Sequence, residues 1–194
     1  MSTVRLFIAL PMPPSVLERL GELSSALRRA DADVRWERVE KMHATIKFLG
    51  DTAVDRVPTL NGVLDRVASS TPAPATAVSG IGAFPSLRSP RILWVGLEDT
   101  SGTLRTLHQA IEERLAAEGF RREERAFHPH ITLGRVRSQR GLARLLAMVE
   151  SRTLERQPVQ LHDVLLVKSE LTPHGSVYST LHAAAFVGNQ SHHQ

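Results

Sequence analysis

The sequence predicts an α+β fold of two pseudo-symmetric lobes, each an antiparallel sheet with helices on its outer side, with a cleft between the lobes. The first observation is that an apolar strand, a helix and a histidine-containing strand follow one another twice along the chain. The apolar strands begin at Val4 and Arg91, and the histidines are His43 and His130, so both pairs lie 87 residues apart. The second observation is that each histidine strand has one polar face. A pseudo-twofold arrangement of the two copies would place these polar faces opposite each other across the cleft.

The composition is that of a globular protein, with 42% hydrophobic and 23% charged residues, and 194 residues suit one domain. We expect residues 1–187 to form this domain and the polar segment 188–194 to be a disordered tail. The chain has no cysteine, which excludes disulfides, thiolate catalysis and cysteine-based zinc sites. No apolar run approaches the roughly 20 residues that span a bilayer, and the first residues lack a signal-peptide pattern. We therefore expect a cytoplasmic protein without membrane association, and a monomer by default.

The first half of the chain shows a strand pattern, a helix pattern, extended chain and a second helix pattern. Short apolar runs predict the strands, and apolar residues spaced by three or four predict the helices. Ser15 and Glu18 are expected to form a capping box at the start of the first helix. The predicted elements are a strand over 4–10, a helix from 15, extended chain over 34–49 with a turn at 50–51, and a helix over 55–67.

The second half repeats this order and then adds further elements. Gly119 is placed to end its first helix, as glycine often does. The predicted elements are strands over 75–83 and 91–97 with a loop over 85–90 between them, a helix over 103–118, the second histidine strand, a short helix over 142–149, and strands over 159–167 and 177–186.

Each histidine of the pair begins a pattern of histidine, any residue, threonine and an apolar residue. Side chains alternate between the faces of a strand, so His43 and Thr45 point the same way, as do His130 and Thr132. A similar pattern at His174 follows a proline and lies in a predicted turn, where this alternation does not apply. The bare pattern is weak, but its strand context and the repeat spacing indicate that His43 and His130 act as a functional pair.

Arginine carries nearly all of the positive charge, since the chain has 24 lysines and arginines together and only three of them are lysines. A guanidinium group binds phosphate oxygens in a bidentate way that an ammonium group does not. Arginine clusters at 121–125 and 135–144 flank the second histidine strand. One interpretation is a phosphate-bearing partner. The other is a compositional bias towards arginine combined with solvated helix faces.

The stretches 42–50 and 127–135 resemble the tandem motifs of the 2H phosphoesterase superfamily. Within it, the chain is most similar to the RNA 2′,3′-cyclic phosphodiesterases, also called 2′-5′ RNA ligases, through its Phe48-Leu49-Gly50 and Pro129-His130 segments. The resemblance extends over nearly the whole chain. It implies the bilobal fold and the hydrolysis of RNA 2′,3′-cyclic phosphodiester ends to 2′-phosphomonoesters, with no metal or other cofactor. The implied partners are RNA 3′ ends or cyclic nucleotides.

Opening a cyclic phosphodiester requires a base that activates water and an acid that protonates the leaving oxygen. Histidine titrates near neutrality, so one neutral and one protonated imidazole meet both needs. The resemblance implies that His43 is the acid and His130 the base, although the residues alone do not distinguish these roles. Thr45 and Thr132 are placed to donate hydrogen bonds to the phosphate oxygens, and Arg135 to add a charge-assisted contact.

Two residues next to the first histidine motif allow two interpretations each. Strict alternation places Phe48 with Ile46, which favours core packing, whereas the resemblance suggests that Phe48 stacks on a nucleobase. The latter requires the strand to twist or end before Phe48. Lys47 shares the face of His43 on strict alternation, where it would contact phosphate or be a solvated strand lysine.

Other functions remain open from the sequence. The same site would serve the reverse reaction, 2′-5′ ligation of RNA, or hydrolysis of a small cyclic phosphate or a 2′-5′ oligonucleotide. His128 and His130 share a strand face and could hold zinc together with His43. A non-catalytic RNA-binding module is a further alternative, with binding that depends on salt. ATP-driven ligation finds no support, because the chain has neither a P-loop nor a dinucleotide-binding glycine motif.

Overall fold

The computed structural model describes residues 2–173 and 175–188. Within these ranges it contains nine strands, four α-helices and two 3-10 turns. In chain order they are β1 (Thr3–Pro11), α1 (Pro14–Arg28), β2 (Val34–Trp36), a 3-10 turn (Val39–Lys41), β3 (His43–Ala53), a 3-10 turn (Val54–Arg56), α2 (Val57–Ala68), β4 (Ala75–Ser86), β5 (Ser89–Glu98), α3 (Thr103–Ala117), β6 (His130–Val136), α4 (Leu142–Glu150), β7 (Gln157–Gln160), β8 (Asp163–Thr172) and β9 (Gly175–Ala185). His174 and all of the predicted tail except Gly188 lie outside the described residues, so the domain limits stay a prediction.

The strands form antiparallel pairs in the order β7-β4-β5-β6-β3-β1-β8-β9, and β2 pairs with β6. The first four constitute one lobe and the last four the other. The lobes meet where β3 runs antiparallel to β6, with Ala44 paired to Ile131. These two residues are 87 positions apart, so a residue of one copy pairs with its equivalent in the other. The predicted α+β fold with two pseudo-symmetric lobes is confirmed.

The helices cover one side of the sheet and leave the other side open. On β1, Leu6, Ile8 and Leu10 point to the helices, whereas Phe7 and Ala9 point to the opposite face and belong to a separate small cluster. Helix α1 lies against α4, and α2 lies against α3. The main hydrophobic cluster contains side chains from both lobes and all four helices, including Leu20, Leu27, Leu60, Leu64, Leu107, Ile111 and Leu145. Its burial is the main force that holds the two lobes together.

Four local predictions were wrong. Residues 50–51 form no turn, because β3 runs on to Ala53 alongside β1. Residues 85–90 form no loop, because β4 and β5 continue as a hairpin that turns at residues 87 and 88. The segment 159–167 is two strands, since β7 joins β4 in one lobe and β8 joins β1 in the other. Helix α1 starts at Pro14 with no side-chain cap, so the capping box at Ser15 does not form.

Candidate active site

A bulge in β3 decides which side chains face the cleft. Thr45 pairs with Ala9 of β1, but the next pair is Lys47 with Ile8, which leaves Ile46 as an extra residue. An extra residue in one strand reverses the alternation that follows it. Phe48 therefore joins the face of His43 and Thr45, and 66% of its surface is exposed. The core-packing interpretation of Phe48 was wrong.

The second histidine strand contains the same bulge at the equivalent position. Thr132 pairs with Trp94 of β5, and the next pair is Gly134 with Leu93, so Leu133 is the extra residue. The bulge thereby turns Arg135 to the same face of the strand as Thr132, although the two residues are three positions apart. Arg135 is the repeat equivalent of Phe48, which means that equivalent bulges present an aromatic ring in one lobe and a guanidinium group in the other.

The two motifs come together in one cleft. The antiparallel pairing of Ala44 with Ile131 sets His43 alongside Thr132, and Thr45 alongside His130. All of the candidate site residues predicted from the sequence line this cleft: His43, Thr45, Phe48, His130, Thr132 and Arg135. The imidazoles are close enough that His130 contributes to lowering the pKa of His43.

Backbone carbonyls fix the orientation and tautomer of both imidazoles. Nδ1–H of His43 donates to the carbonyl oxygen of Lys41 at 2.6 Å, and Nδ1–H of His130 donates to that of His128 at 2.6 Å. A carbonyl oxygen only accepts, so each neutral ring carries its proton on Nδ1 and its lone pair on Nε2. Nε2 of His43 lies 3.1 Å from the hydroxyl of Thr45, which donates to it. Nε2 is thus the atom that each ring offers for chemistry.

Aromatic rings pack against each imidazole. The ring of Phe7 stacks on His43 with 4.9 Å between centroids, and Tyr178 meets His43 edge-on at 5.6 Å. In the other lobe, Phe84 meets His130 edge-on at 4.9 Å, and Trp94 lies 6.3 Å from it. These contacts hold the rings in place and exclude water from one side of each.

The sequence analysis did not identify Phe7, Phe84 or Trp94 as part of the site, although the repeat offered a signal for two of them. Phe7 and Trp94 each lie 36 residues before the histidine of their own lobe. His128 also belongs to this aromatic group, because its ring centroid is 4.8 Å from that of Trp94 and 6.1 Å from that of His130.

Burial makes both histidines less basic than usual. It is the largest cause of the lowered pKa of His43, and it is opposed by the hydrogen bond to the Lys41 carbonyl and by the charge of Glu37. It is also the largest cause of the lowered pKa of His130, where the His128 carbonyl opposes it and the charge of His128 adds to it. Both rings are therefore neutral at pH 7 in the free protein. A phosphate anion in the cleft would raise both pKa values.

Lys47 lines a cavity beside Thr45 and Phe48, but its ammonium group is directed to Glu112 in the core and not to solvent or to the face of His43, so both interpretations of it were wrong. The bulge turns it to the core side, where it is 6% exposed. Its ammonium group lies 2.5 Å from Oε1 of Glu112 on α3 and donates to the Arg121 carbonyl at 2.8 Å. The other oxygen of Glu112 accepts the backbone N–H of Glu123 at 3.1 Å. This network fixes the segment after α3, of which residues 123 and 125–127 line the cavity beside Phe48.

The zinc alternative lacks a ligand set in the structure as far as it is described. Over residues 2–173 and 175–188, no three histidine, aspartate or glutamate side chains are grouped as a metal site requires. His128 and His130 hold their rings 6.1 Å apart, packed on Trp94 and Phe84.

The fold and the paired imidazoles are those of a two-histidine phosphoesterase. A sequence model described as the 2′-5′ RNA ligase superfamily matches residues 12–173, and the chain belongs to that superfamily. The family resemblance seen in the two motifs is confirmed.

Relatives of similar length carry one description. The chain is 29% identical to an RNA 2′,3′-cyclic phosphodiesterase of Methanothermobacter thermautotrophicus, over 92% of this chain and 96% of the relative. It is 31% identical to an RNA 2′,3′-cyclic phosphodiesterase of Archaeoglobus fulgidus, over 92% of this chain and 98% of the relative. A crystal structure of E. coli LigT complexed with 3′-AMP has the same fold, with a TM-score of 0.76, 22% identity, and coverage of 96% of this chain and 99% of LigT.

Among the described residues, no helix is both long enough and apolar enough to cross a membrane.

We expect the buried pair of Lys47 and Glu112 to be far more important for stability than a surface pair at the same distance. Lys47→Met leaves the carboxylate buried without its partner and should lower the free energy of unfolding by about 3–5 kcal/mol. Adding Glu112→Gln to this variant removes the unpaired charge and should recover most of the lost stability. Urea unfolding, monitored by circular dichroism, gives the free energy of unfolding of the single and the double variant.

The control is Arg121→Ala, which breaks an exposed pair with Glu124 that is also 2.5 Å long. This change should lower the free energy of unfolding by about 0–1 kcal/mol. Equal losses in Lys47→Met and Arg121→Ala would contradict the buried role.

We expect Gly82 to be required for the Trp94 ring that packs beside His130. A Cβ at Gly82 would lie 2.3 Å from that ring, so Gly82→Ala should destabilise the protein by about 1–3 kcal/mol through overpacking and lower its turnover. The matched control is Gly62→Ala in α2, where the added Cβ meets only the flexible end of Arg66 at 3.3 Å. That change should be neutral or stabilising by up to about 1 kcal/mol. Thermal unfolding compares the two variants, and an unchanged Gly82→Ala protein would refute the packing argument.

Proposed function

We propose that this protein hydrolyses the 2′,3′-cyclic phosphate at RNA 3′ ends and leaves a 2′-phosphomonoester. Membership of the 2′-5′ RNA ligase superfamily and the names of the curated relatives support this activity. The observation that carries it is structural: two imidazoles from equivalent strands share one cleft with Thr45 and Thr132, and each has its Nδ1 bound to a backbone carbonyl, which leaves Nε2 for proton transfer. That arrangement suits the two proton transfers that cyclic phosphate opening requires.

In the proposed reaction, water attacks phosphorus opposite the 3′ oxygen. Nε2 of neutral His130 takes a proton from the water as the new P–O bond forms. Nε2–H of protonated His43 gives a proton to the 3′ oxygen as the old P–O bond breaks. Hydroxyls of Thr45 and Thr132 and the guanidinium group of Arg135 donate hydrogen bonds to the nonbridging oxygens, on which negative charge grows.

The charges around the two rings support this division of roles. Glu37 acts to raise the pKa of His43, which favours the protonated form that an acid needs. The pKa of His130 is lowered by burial and by the charge of His128, against the hydrogen bond to the His128 carbonyl, and a lowered pKa favours the neutral form that a base needs. We therefore propose His43 as the acid and His130 as the base.

On the remaining points, we propose a stacking role for Phe48 against the nucleobase, supported by its exposure at the cleft. A monomer is sufficient for the reaction, because one chain supplies all six site residues. The cytoplasmic location and the use of free cyclic nucleotides stay predictions.

We expect His43→Ala and His130→Ala each to lower turnover by at least about 10²-fold, the usual contribution of a general acid or base. The assay is hydrolysis of RNA ending in a 2′,3′-cyclic phosphate, with EDTA present and the product identified as the 2′- or 3′-monophosphate. His162→Ala is the control, since His162 is exposed and lies outside the cleft, and its turnover should be unchanged. Near-normal hydrolysis by either folded cleft variant would defeat the proposal. If the normal protein does not hydrolyse this RNA, and the His43→Ala and His130→Ala variants still bind it, a non-catalytic RNA-binding module would be favoured.

We expect the pH optimum of kcat/KM to lie below 6.5, the ordinary pKa of histidine. Activity should rise with pH through the lowered pKa of His130, which must be neutral, and fall through the lowered pKa of His43, which must be protonated. Bound phosphate raises both pKa values, so the kcat profile should lie at higher pH than the kcat/KM profile. Glu37→Gln removes a charge that favours protonated His43 and should move the falling limb to lower pH. A kcat/KM optimum above pH 7 would contradict these assignments.

A further inference from the structure

A basic pocket adjoins the imidazole cleft on the side of β2 and β9. Four cationic side chains line it, and one carboxylate, Glu37, is among its described lining residues; the cations are Arg35, Arg38, Lys41 and Arg135. The pocket and the imidazole cleft are neighbours that share four lining residues: Glu37, Lys41, Arg135 and Tyr178.

The register of β2 concentrates like charge in this pocket. Arg35 pairs directly with Arg135 of β6, and like charges at directly opposed strand positions destabilise a sheet. No carboxylate pairs with Arg35, Arg38 or Arg135 among the ion pairs of residues 2–173 and 175–188. An anion bound between these guanidinium groups would reduce their mutual repulsion.

Two of the cations lie against the β8–β9 hairpin. A Cβ at Gly175 would lie 3.0 Å from a terminal nitrogen of Arg35, so the end of this side chain reaches the backbone of β9. The ammonium group of Lys41 donates to the carbonyl oxygen of Ser176 and lies 5.7 Å from the Tyr178 ring centroid. The backbone carbonyl oxygen of Lys41 also accepts a hydrogen bond from Nδ1–H of His43. The same residue therefore links the pocket to the proposed acid.

We propose that this pocket binds the phosphate on the 5′ side of the terminal nucleotide, so the preferred substrate carries a second phosphate beyond the cyclic one. The inference rests on the proposed function, which places the cyclic phosphate between the imidazoles. The next charge along an RNA chain is the phosphodiester at the 5′ oxygen of the same nucleotide. Guanidinium groups match its oxygens in a bidentate geometry. A 5′-phosphorylated mononucleotide offers the same group, so the test includes it beside an RNA dinucleotide.

The test compares three substrates that share one terminal nucleotide: adenosine 2′,3′-cyclic phosphate, its 5′-phosphorylated form, and the dinucleotide ApA with a terminal 2′,3′-cyclic phosphate. We expect kcat/KM to be at least about tenfold higher for the second and third than for the first, as charge-assisted hydrogen bonds to phosphate permit. The gain should appear mainly in KM. A gain for the dinucleotide alone would assign it to the upstream nucleoside and overturn the phosphate pocket.

Variants of Arg35 show whether the gain comes from this pocket. Arg35→Ala should lower kcat/KM for the two substrates with a second phosphate by at least about tenfold. Its kcat/KM for adenosine 2′,3′-cyclic phosphate should change less than about threefold. Arg35→Lys should restore part of it, because charge returns without the bidentate fork. Arg144→Ala is the matched control, an exposed arginine on α4 that does not line the pocket. Equal losses on all three substrates in Arg35→Ala would overturn the proposal.

Direct binding separates the failure of this inference from the failure of the proposed function. Calorimetry compares adenosine 2′,5′-bisphosphate with adenosine 2′-monophosphate as ligands of the normal protein and of Arg35→Ala. We expect the bisphosphate to bind the normal protein at least about tenfold more tightly than the monophosphate. In Arg35→Ala, the slope of the logarithm of bisphosphate affinity against the logarithm of salt concentration should decrease by the amount expected for one lost phosphate contact. If none of the three cyclic substrates is hydrolysed, the proposed function fails while this comparison still tests the pocket. Equal affinities would overturn the pocket whatever the turnover.

Discussion

The pairing of Ala44 with Ile131 is the contact on which the site depends. It joins equivalent residues of two antiparallel strands, and such a contact is symmetric about the point between them. His43 and His130 are therefore brought to one cleft from opposite sides, although they are far apart along the chain. The strands diverge beyond this pair, since β6 next pairs with β2, from Gly134 onwards. This divergence opens the space that a substrate would occupy.

The two lobes share a backbone plan but differ in the side chains that flank the imidazoles. Equivalent bulges at Ile46 and Leu133 turn Phe48 and Arg135 to the cleft. A nucleotide is itself asymmetric, with an apolar base on one side and anionic groups on the other. A duplicated scaffold thus supplies two similar imidazoles, which are the proposed proton-transfer groups, and the divergence of the two copies supplies two different side chains beside them. This arrangement suits a nucleotide substrate, because proton transfer is needed on both sides of the phosphorus atom, whereas the nucleobase and the anionic groups need different contacts.

Electrostatics and burial act in opposite directions around the imidazoles. Aromatic packing lowers the pKa of both rings, whereas Glu37 acts to raise that of His43. The arginines on the β2 side make the surrounding field positive, which attracts phosphate and disfavours a second cation in the empty cleft. An arriving anion reverses this balance. Phosphate binding and imidazole protonation are therefore coupled, and protonation of His43, the proposed acid, is favoured when a phosphate is bound.

The sequence alone determined the elements whose signals are local. Apolar periodicity, strand alternation and the 87-residue spacing were sufficient to predict the α+β class, the two lobes and the paired faces of His43 and His130. Register was not predictable, because it depends on which strand a residue pairs with and where an extra residue is accommodated. Strict alternation accordingly misplaced Phe48 and Lys47, and the turn at residues 50–51 was wrong. Only the tertiary structure decided that Lys47 is buried against Glu112, that aromatic rings support both imidazoles, and that Arg35 and Arg135 face each other, since each of these contacts joins segments that are distant in the chain.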